Sequence, residues 1–142
     1  MSFDFELINA DLKIKADGTI RTVTDTPKLR QDILKMILTP LGTNRFHKWY
    51  GCTVAEDIIG KNMPENLVIT EIQSAVTTSL EKLKALQQTQ SVSQKVSLAE
   101  MIAEIGGVWV ERDPTDLRLI NVIVTVYSRR LTKVEELFTL TS

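Results

Sequence analysis

Between Leu29 and Leu38 the apolar residues recur at helical spacing. Leu29, Ile33, Met36 and Ile37 share one face, and Leu34 and Leu38 widen it. Thr26-Pro27 marks the start: Thr offers a capping hydroxyl, and Pro is tolerated at the first helical position because its missing N–H has no helical partner there. Thr39-Pro40 and Gly42 mark the stop. A second helical stripe begins after Pro64 and runs through Val68, Ile72, Ala75, Val76, Leu80 and Leu83, with Glu71, Gln73 and the Glu81, Lys82 and Lys84 group largely off it. The pattern fades in Gln87-Gln88-Thr89-Gln90-Ser91, which reads as a frayed end and a loop.

Other stretches have a period of two. Leu12 and Ile14 alternate with Lys13 and Lys15. Asp17-Gly18 then tolerates the positive φ of a tight turn, and Ile20 and Val23 follow, so residues 11–24 read as a hairpin. Residues 1–10, with Phe3, Phe5, Leu7 and Ile8, read as a strand or a docking arm. Residues 117–127 carry the strongest strand signal: Ile120, Val122, Val124 and Val126 fall on one face and are all β-branched. Residues 134–141 form a last strand with Val134, Phe138 and Leu140 on one face, and Arg129-Arg130 turns between the two. Val108-Trp109-Val110 is a shorter strand, joined to the strong one by the turn Asp113-Pro114-Thr115-Asp116.

Two pairs have capping-box spacing. Thr53 and Glu56 open a short helix that ends near Gly60. Ser97 and Glu100 open another through Leu98, Met101, Ile102 and Ile105, closed by Gly106-Gly107. No linker, repeat or low-complexity tract divides the chain. The sum is one α+β domain over residues 1–142, with helices packed on a mostly antiparallel sheet, an N-terminal hairpin and a C-terminal β-meander.

Composition changes this picture little. The 142 residues are 43% hydrophobic and 25% charged, as in ordinary globular domains, and the net charge of −1 gives no global pull toward nucleic acid or an anionic membrane. The N-terminus lacks a basic region before an apolar run, and the stretch from Leu119 to Tyr127 is too short to span a bilayer as a helix, so no membrane partner is expected. A single cysteine, Cys52, rules out an intrachain disulfide and fits synthesis in a reducing cytosol.

The search for chemistry is nearly empty. His47 is the single histidine, and with Cys52, Glu56 and Asp57 it lacks the ligand number and spacing of a zinc site, so no metal or cofactor is expected. A Cys52–His47 nucleophile pair would need a third, orienting group. Carboxylate pairs drawn from Glu56, Asp57, Glu65 and Glu71 are the material of a cell-wall hydrolase, but acidic residues on solvated helix faces are the common state. No glycine-rich phosphate loop is present. The loop Arg45-Phe46-His47-Lys48-Trp49-Tyr50 has the stacking and cationic groups of a single-strand nucleic-acid platform. Equally, Trp49 and Tyr50 suit a loop anchored to a core. The expectation is a non-enzyme, with nucleic-acid binding and hydrolysis as alternatives.

An ordered set of short motifs extends from Ile14 to about Leu83: Asp17-Gly18-Thr19-Ile20, Leu29-Arg30-Gln31-Asp32-Ile33, Leu38-Thr39-Pro40-Leu41-Gly42, Asn44-Arg45-Phe46-His47 and Trp49-Tyr50-Gly51. In order and spacing it resembles the baseplate sheath-initiator family of contractile-tailed phages and related injection machines, also labelled lysozyme-like. A Glu-Pro-Arg that many members carry after the long helix is absent; Leu80 to Gln87 read Leu-Glu-Lys-Leu-Lys-Ala-Leu-Gln. Residues 88–107 are also longer than the usual connection in the family.

The resemblance implies a non-catalytic virion protein of the tail baseplate, made in the host bacterial cytoplasm. It would sit six copies to a ring around the tail tube and touch wedge proteins and the first sheath ring. Sheath subunits exchange strands, and the initiator would offer a matching sheet, an addition driven by main-chain hydrogen bonds at an open edge. The residues expected at partner contacts are Arg45, Trp49 and Tyr50 in the aromatic loop and Val134, Glu136, Phe138 and Leu140 in the last strand.

Overall fold

The computed structural model describes residues 3–8, 11–12, 14–54, 64–116 and 118–141. In chain order the elements are β1 (Asp4–Phe5), β2 (Leu7–Ile8), β3 (Asp11–Leu12), β4 (Thr22–Val23), α1 (Asp25–Leu38), α2 (Glu65–Ser93), one 3-10 turn (Leu98–Glu100), β5 (Ile102–Arg112), β6 (Leu119–Ser128) and β7 (Lys133–Thr141). The fold is α+β. Two helices pack on antiparallel strands, with paired short strands at the N-terminal end and the meander β5-β6-β7 at the C-terminal end.

Strand β6 lies between the other two in the meander, and its alternation is strict. Ile120, Val122, Val124 and Val126 are all at 1% exposure or less. Burying each contributes about 1.5–3 kcal/mol relative to an exposed side chain. They meet the stripes read from the sequence: Leu29, Ile33, Met36 and Ile37 of α1, and Val68, Ile72, Val76, Leu80 and Leu83 of α2, all buried in one cluster. Leu34 packs at the margin of that cluster, but Leu38 is 56% exposed and does not widen the core.

Helix α1 begins earlier than the Thr-Pro signal suggested. Thr24 is the N-cap residue, without a side-chain capping bond, and Thr26 sits inside the first turn. Asp25 adopts φ +57, and its carboxylate accepts from the Ser97 hydroxyl at 2.7 Å. That bond ties the start of the helix to the loop before β5. The stop is as expected: Thr39 is the C-cap, and its N–H donates to the Lys35 carbonyl.

The Asp17-Gly18 turn is present. Gly18 has φ +87, and Asp17 accepts from the Thr19 N–H and hydroxyl. Ile14 faces Ile20 across it as an isolated bridge. Beyond that bridge the two arms do not continue as one ladder: β4 pairs with β1, and β3 with β2. The N-terminal strands are held to α1 by polar clasps. Gln31 donates to the Phe5 carbonyl (2.7 Å) and accepts from the Leu7 N–H (2.9 Å), and Lys35 pairs with Asp4 at 2.7 Å.

Two expectations between residues 87 and 107 are corrected. Helix α2 runs through the glutamine-rich stretch to Ser93, because glutamine is a good helix former and Gln87 has a buried task. Its amide donates to the Glu100 carbonyl at 2.7 Å and accepts from the Ile102 N–H at 2.8 Å. The Ser97–Glu100 capping box forms, but it opens only one 3-10 turn; from Ile102 onward the chain is strand. Gly106-Gly107 is therefore no helix stop. A Cβ on Gly106 would lie 2.9 Å from the Tyr127 ring, and Gly107 takes φ +152 beside a register shift. The short helix expected from Thr53 to Gly60 falls largely on residues 55–63, outside the described residues.

Gln87→Ala leaves a buried N–H and a buried carbonyl without partners. The expected cost is about 2–4 kcal/mol, read as a lower urea midpoint, together with lost hydrogen-exchange protection of the Ile102 amide.

Candidate functional site

A three-stranded sheet has two edges, and the two here differ. Along β5, side chains of α2 occupy outward backbone groups. Gln87 takes the Ile102 N–H, and Gln73 donates to the Val108 carbonyl at 3.2 Å. Register shifts between Ile102 and Glu104 and between Ile105 and Gly107 further break this edge. Such bulges and coverings are how natural sheets keep an edge from recruiting another strand.

Among the described residues, strand β7 has neither device. It pairs with β6 over Tyr127↔Lys133 to Leu119↔Thr141 without a register shift, and no described strand lies on its other side. The phase of the ladder follows from the Ser128 N–H, which donates to the Thr132 carbonyl at 3.0 Å. Antiparallel pairs alternate between hydrogen-bonded and non-bonded. Val134, Glu136, Phe138 and Leu140 therefore direct their backbone groups to β6, while Glu135, Leu137 and Thr139 turn theirs to the open edge. The same alternation on the β5 side points the Val108 carbonyl and the Ile102 N–H away from β6, where the two glutamines meet them.

The candidate residues of the last strand thus divide. Val134 and Phe138 are buried, Leu140 packs at the core margin, and Glu136 lies half-buried on the same inner face. Burial pushes the Glu136 carboxyl above the usual range, and the Arg30 guanidinium on α1 draws it partly back. The edge-facing residues Glu135, Leu137 and Thr139 escaped the sequence reading, because side-chain alternation does not reveal which backbone groups a neighbour uses. Leu137 is 60% exposed on the outer face. There it stands in register with Ile123 and, across it, Trp109.

Glu136 also lines a cleft of about 560 Å³ along the outer stripe of α1 (Pro27, Arg30, Leu34, Leu38), with Leu7 on the opposite wall. Leu34 and Leu38, expected in the core, give this cleft its apolar floor.

The aromatic loop sits elsewhere. Arg45, Phe46, His47 and Lys48 are exposed, with Phe46 at 87%. Trp49 is partly exposed and lines a separate cleft with Lys82, Ala85, Leu86 and Thr89 of α2. Its ring lies 5.5 Å from His47 and 6.2 Å, edge-on, from Tyr50. Tyr50 packs on the core, and its burial raises the phenol. The loop is closed at its neck, where the Cys52 N–H donates to the Thr39 carbonyl at 2.9 Å and the Leu41 N–H to the Cys52 carbonyl at 3.2 Å. The Ser79 hydroxyl donates to the Gly51 carbonyl. Arg45, Trp49 and Tyr50 are thus grouped together, while Glu136 belongs to the other cleft.

Of the carboxylates considered for hydrolysis, Glu71 lines a shallow cleft of about 220 Å³ with Gly51, Thr53, Ser74, Thr78 and Lys82, where it is the sole carboxylate among the described lining residues. Glu56 and Asp57 lie outside the described residues. Among the described residues no group of three His, Cys, Asp or Glu is placed to hold a metal ion, and no helix is long and apolar enough to cross a membrane.

No family model matches the chain, and no curated protein matches it. Among solved structures, the fold is similar to the crystal structure of a Geobacter sulfurreducens protein described as a "putative tail lysozyme". The TM-score is 0.59 at 13% sequence identity, over 80% of this chain and 86% of that one.

Gly51 holds the loop neck at φ +120, and a Cβ there would come 2.5 Å from the Thr39 carbonyl oxygen. Gly51→Ala is expected to cost at least about 2 kcal/mol and to shift the Trp49 fluorescence signal, while Gly42→Ala, strained by its φ of +83 but with nothing within 4 Å of its added Cβ, is expected to cost only about 1 kcal/mol and to leave that signal in place.

Proposed function

We propose that this chain is a structural component of a contractile phage tail baseplate, and that it starts sheath polymerisation by accepting a partner strand along β7. One observation carries the reading: the sheet closes one edge with α2 glutamines and bulges and leaves the other regular, with no described strand beside it. A long regular edge is a template for strand addition, with affinity from main-chain hydrogen bonds. The fold shared with a protein described as a tail lysozyme and the ordered motifs from Asp17 to Gly51 direct the choice of partner toward a tail sheath subunit. Six copies in a ring around the tube, with wedge proteins as neighbours, complete the proposal. The exposed loop bearing Arg45 and Trp49 is a second surface suited to those contacts.

Removing the whole last strand would also remove Val134 and Phe138 from the core, so a point change tests the edge better. The Leu137 N–H faces outward, and proline there removes an edge donor without touching the β6 ladder. With Leu137→Pro, tails are expected to assemble tube and baseplate without sheath in electron micrographs, whereas Leu137→Thr restores sheathed tails. Sheathed tails at normal frequency with Leu137→Pro would refute the mechanism.

The description of the structural neighbour favours a second reading, a cell-wall hydrolase. Hydrolysis by paired carboxylates needs them about 5–9.5 Å apart across the scissile bond. Under the proposed structural role a peptidoglycan zymogram shows no clearing by the wild-type chain. Clearing that is lost in Glu71→Gln or Glu56→Gln would establish the enzyme instead.

A further inference from the structure

The inner face of β7 reads Val134, Glu136, Phe138, Leu140, so a carboxylate interrupts an otherwise apolar row. Its cross-strand neighbour, Val124, is fully buried. An inward-pointing charge on an edge strand is a known device against indiscriminate pairing, since any added strand must bring its own side chain up against that charge. An added strand lies about 4.8 Å beyond β7, and every second side chain on it falls on the same face as Glu136. That face opens onto the α1 cleft, with Pro27, Arg30, Leu34 and Leu38 along the helix wall.

We propose that Glu136 and this cleft select the strand that joins β7: it carries a lysine or arginine at the inward position beside Glu136 and an apolar side chain at an inward position over Leu34 and Leu38. This rests on the reading of β7 as the receiving edge, and it adds what the partner must look like. Directly opposed unlike charges stabilise a strand pair, and like charges oppose it. Arg30 stands on the helix side of Glu136, and burial still leaves the carboxyl raised. A cation arriving from the strand side therefore relieves a charge held in a partly dry site. Leu34 and Leu38 lie on the same stripe of α1, one turn apart, and Leu38 is largely exposed in the chain alone, so covering it with an alkyl group removes apolar surface from water.

The test uses two capped eight-residue peptides of alternating Thr and Val, differing at one central Val position, which is Lys in one and Glu in the other. Each is titrated into the full isotopically labelled chain, with the amides of Glu135, Leu137 and Thr139 followed by NMR. The Lys peptide is expected to bind about tenfold more tightly, equivalent to about 1.4 kcal/mol. Glu136→Gln, close in shape to the wild type, is expected to erase the preference, and Glu136→Lys to reverse it. Leu38→Ser is expected to weaken both peptides severalfold without changing their ratio. Equal binding of both peptides to wild type, or a preference that persists in Glu136→Gln, would overturn the selectivity while leaving the edge in place. An unchanged affinity in Leu38→Ser would overturn the apolar half. If neither peptide moves the β7 amides, the receiving edge itself fails, and the selectivity with it.

Discussion

The alternation of β6 sets the terms for the rest of the molecule. Four β-branched side chains point to one face and are fully buried, so both helices must lie on that face. Their backbone neighbours must then supply hydrogen bonds from both sides, because buried N–H and C=O groups left unpaired are costly. Strands β5 and β7 do this, and each acquires an outer edge. The helices are already fixed by the core, so whether they also reach an edge depends on side chains that leave the apolar stripe. On α2 these are Gln73 and Gln87. On α1 the outer stripe and Glu136 of β7 line a cleft instead.

Much of the core was legible. The stripes of α1 and α2 and the alternation of β6 are long, regular and apolar, and tertiary packing has little reason to override them. The Asp113 turn was equally readable: its carboxylate accepts from the N–H and hydroxyl of Thr115. The misreadings cluster between Gln87 and Gly107, where local and tertiary demands compete. Ser97 and Glu100 do form their capping box, but Ile102 and the residues after it complete the β6 ladder. The sheet gains more from that ladder than a short isolated helix would gain from one cap. Gly106 looked like a helix stop because its real reason, contact with the Tyr127 ring, lies on a distant strand.

The site was less readable than the core for a related reason. Alternation of side chains identified the inner face of β7, including Glu136. Which backbone groups face outward depends on the phase of hydrogen bonding with β6, and that phase is set by the Ser128–Thr132 contact at the turn. Leu34 and Leu38 extend the α1 stripe on a helical wheel. In space they fall over its shoulder, onto a surface that the N-terminal strands wall off through Gln31 and Lys35. Polar clasps at that wall and an apolar floor between make a cleft that a one-dimensional pattern reads as core.

The two glutamines of α2 also act as a gauge of length. From Gln73 to Gln87 the helix rises about 21 Å. Their partners on β5, Val108 and Ile102, run in the opposite direction and are separated by about 20 Å of strand. Helix and strand advance by very different amounts per residue, so this near-coincidence holds for one spacing and fails when either segment gains or loses a single residue. An insertion between the two glutamines would rotate one of them by about 100° off the sheet and uncover part of the β5 edge. The spacing within α2 therefore keeps both outward groups of β5 covered at once, and a helix one residue longer would leave that strand half exposed to chance pairing.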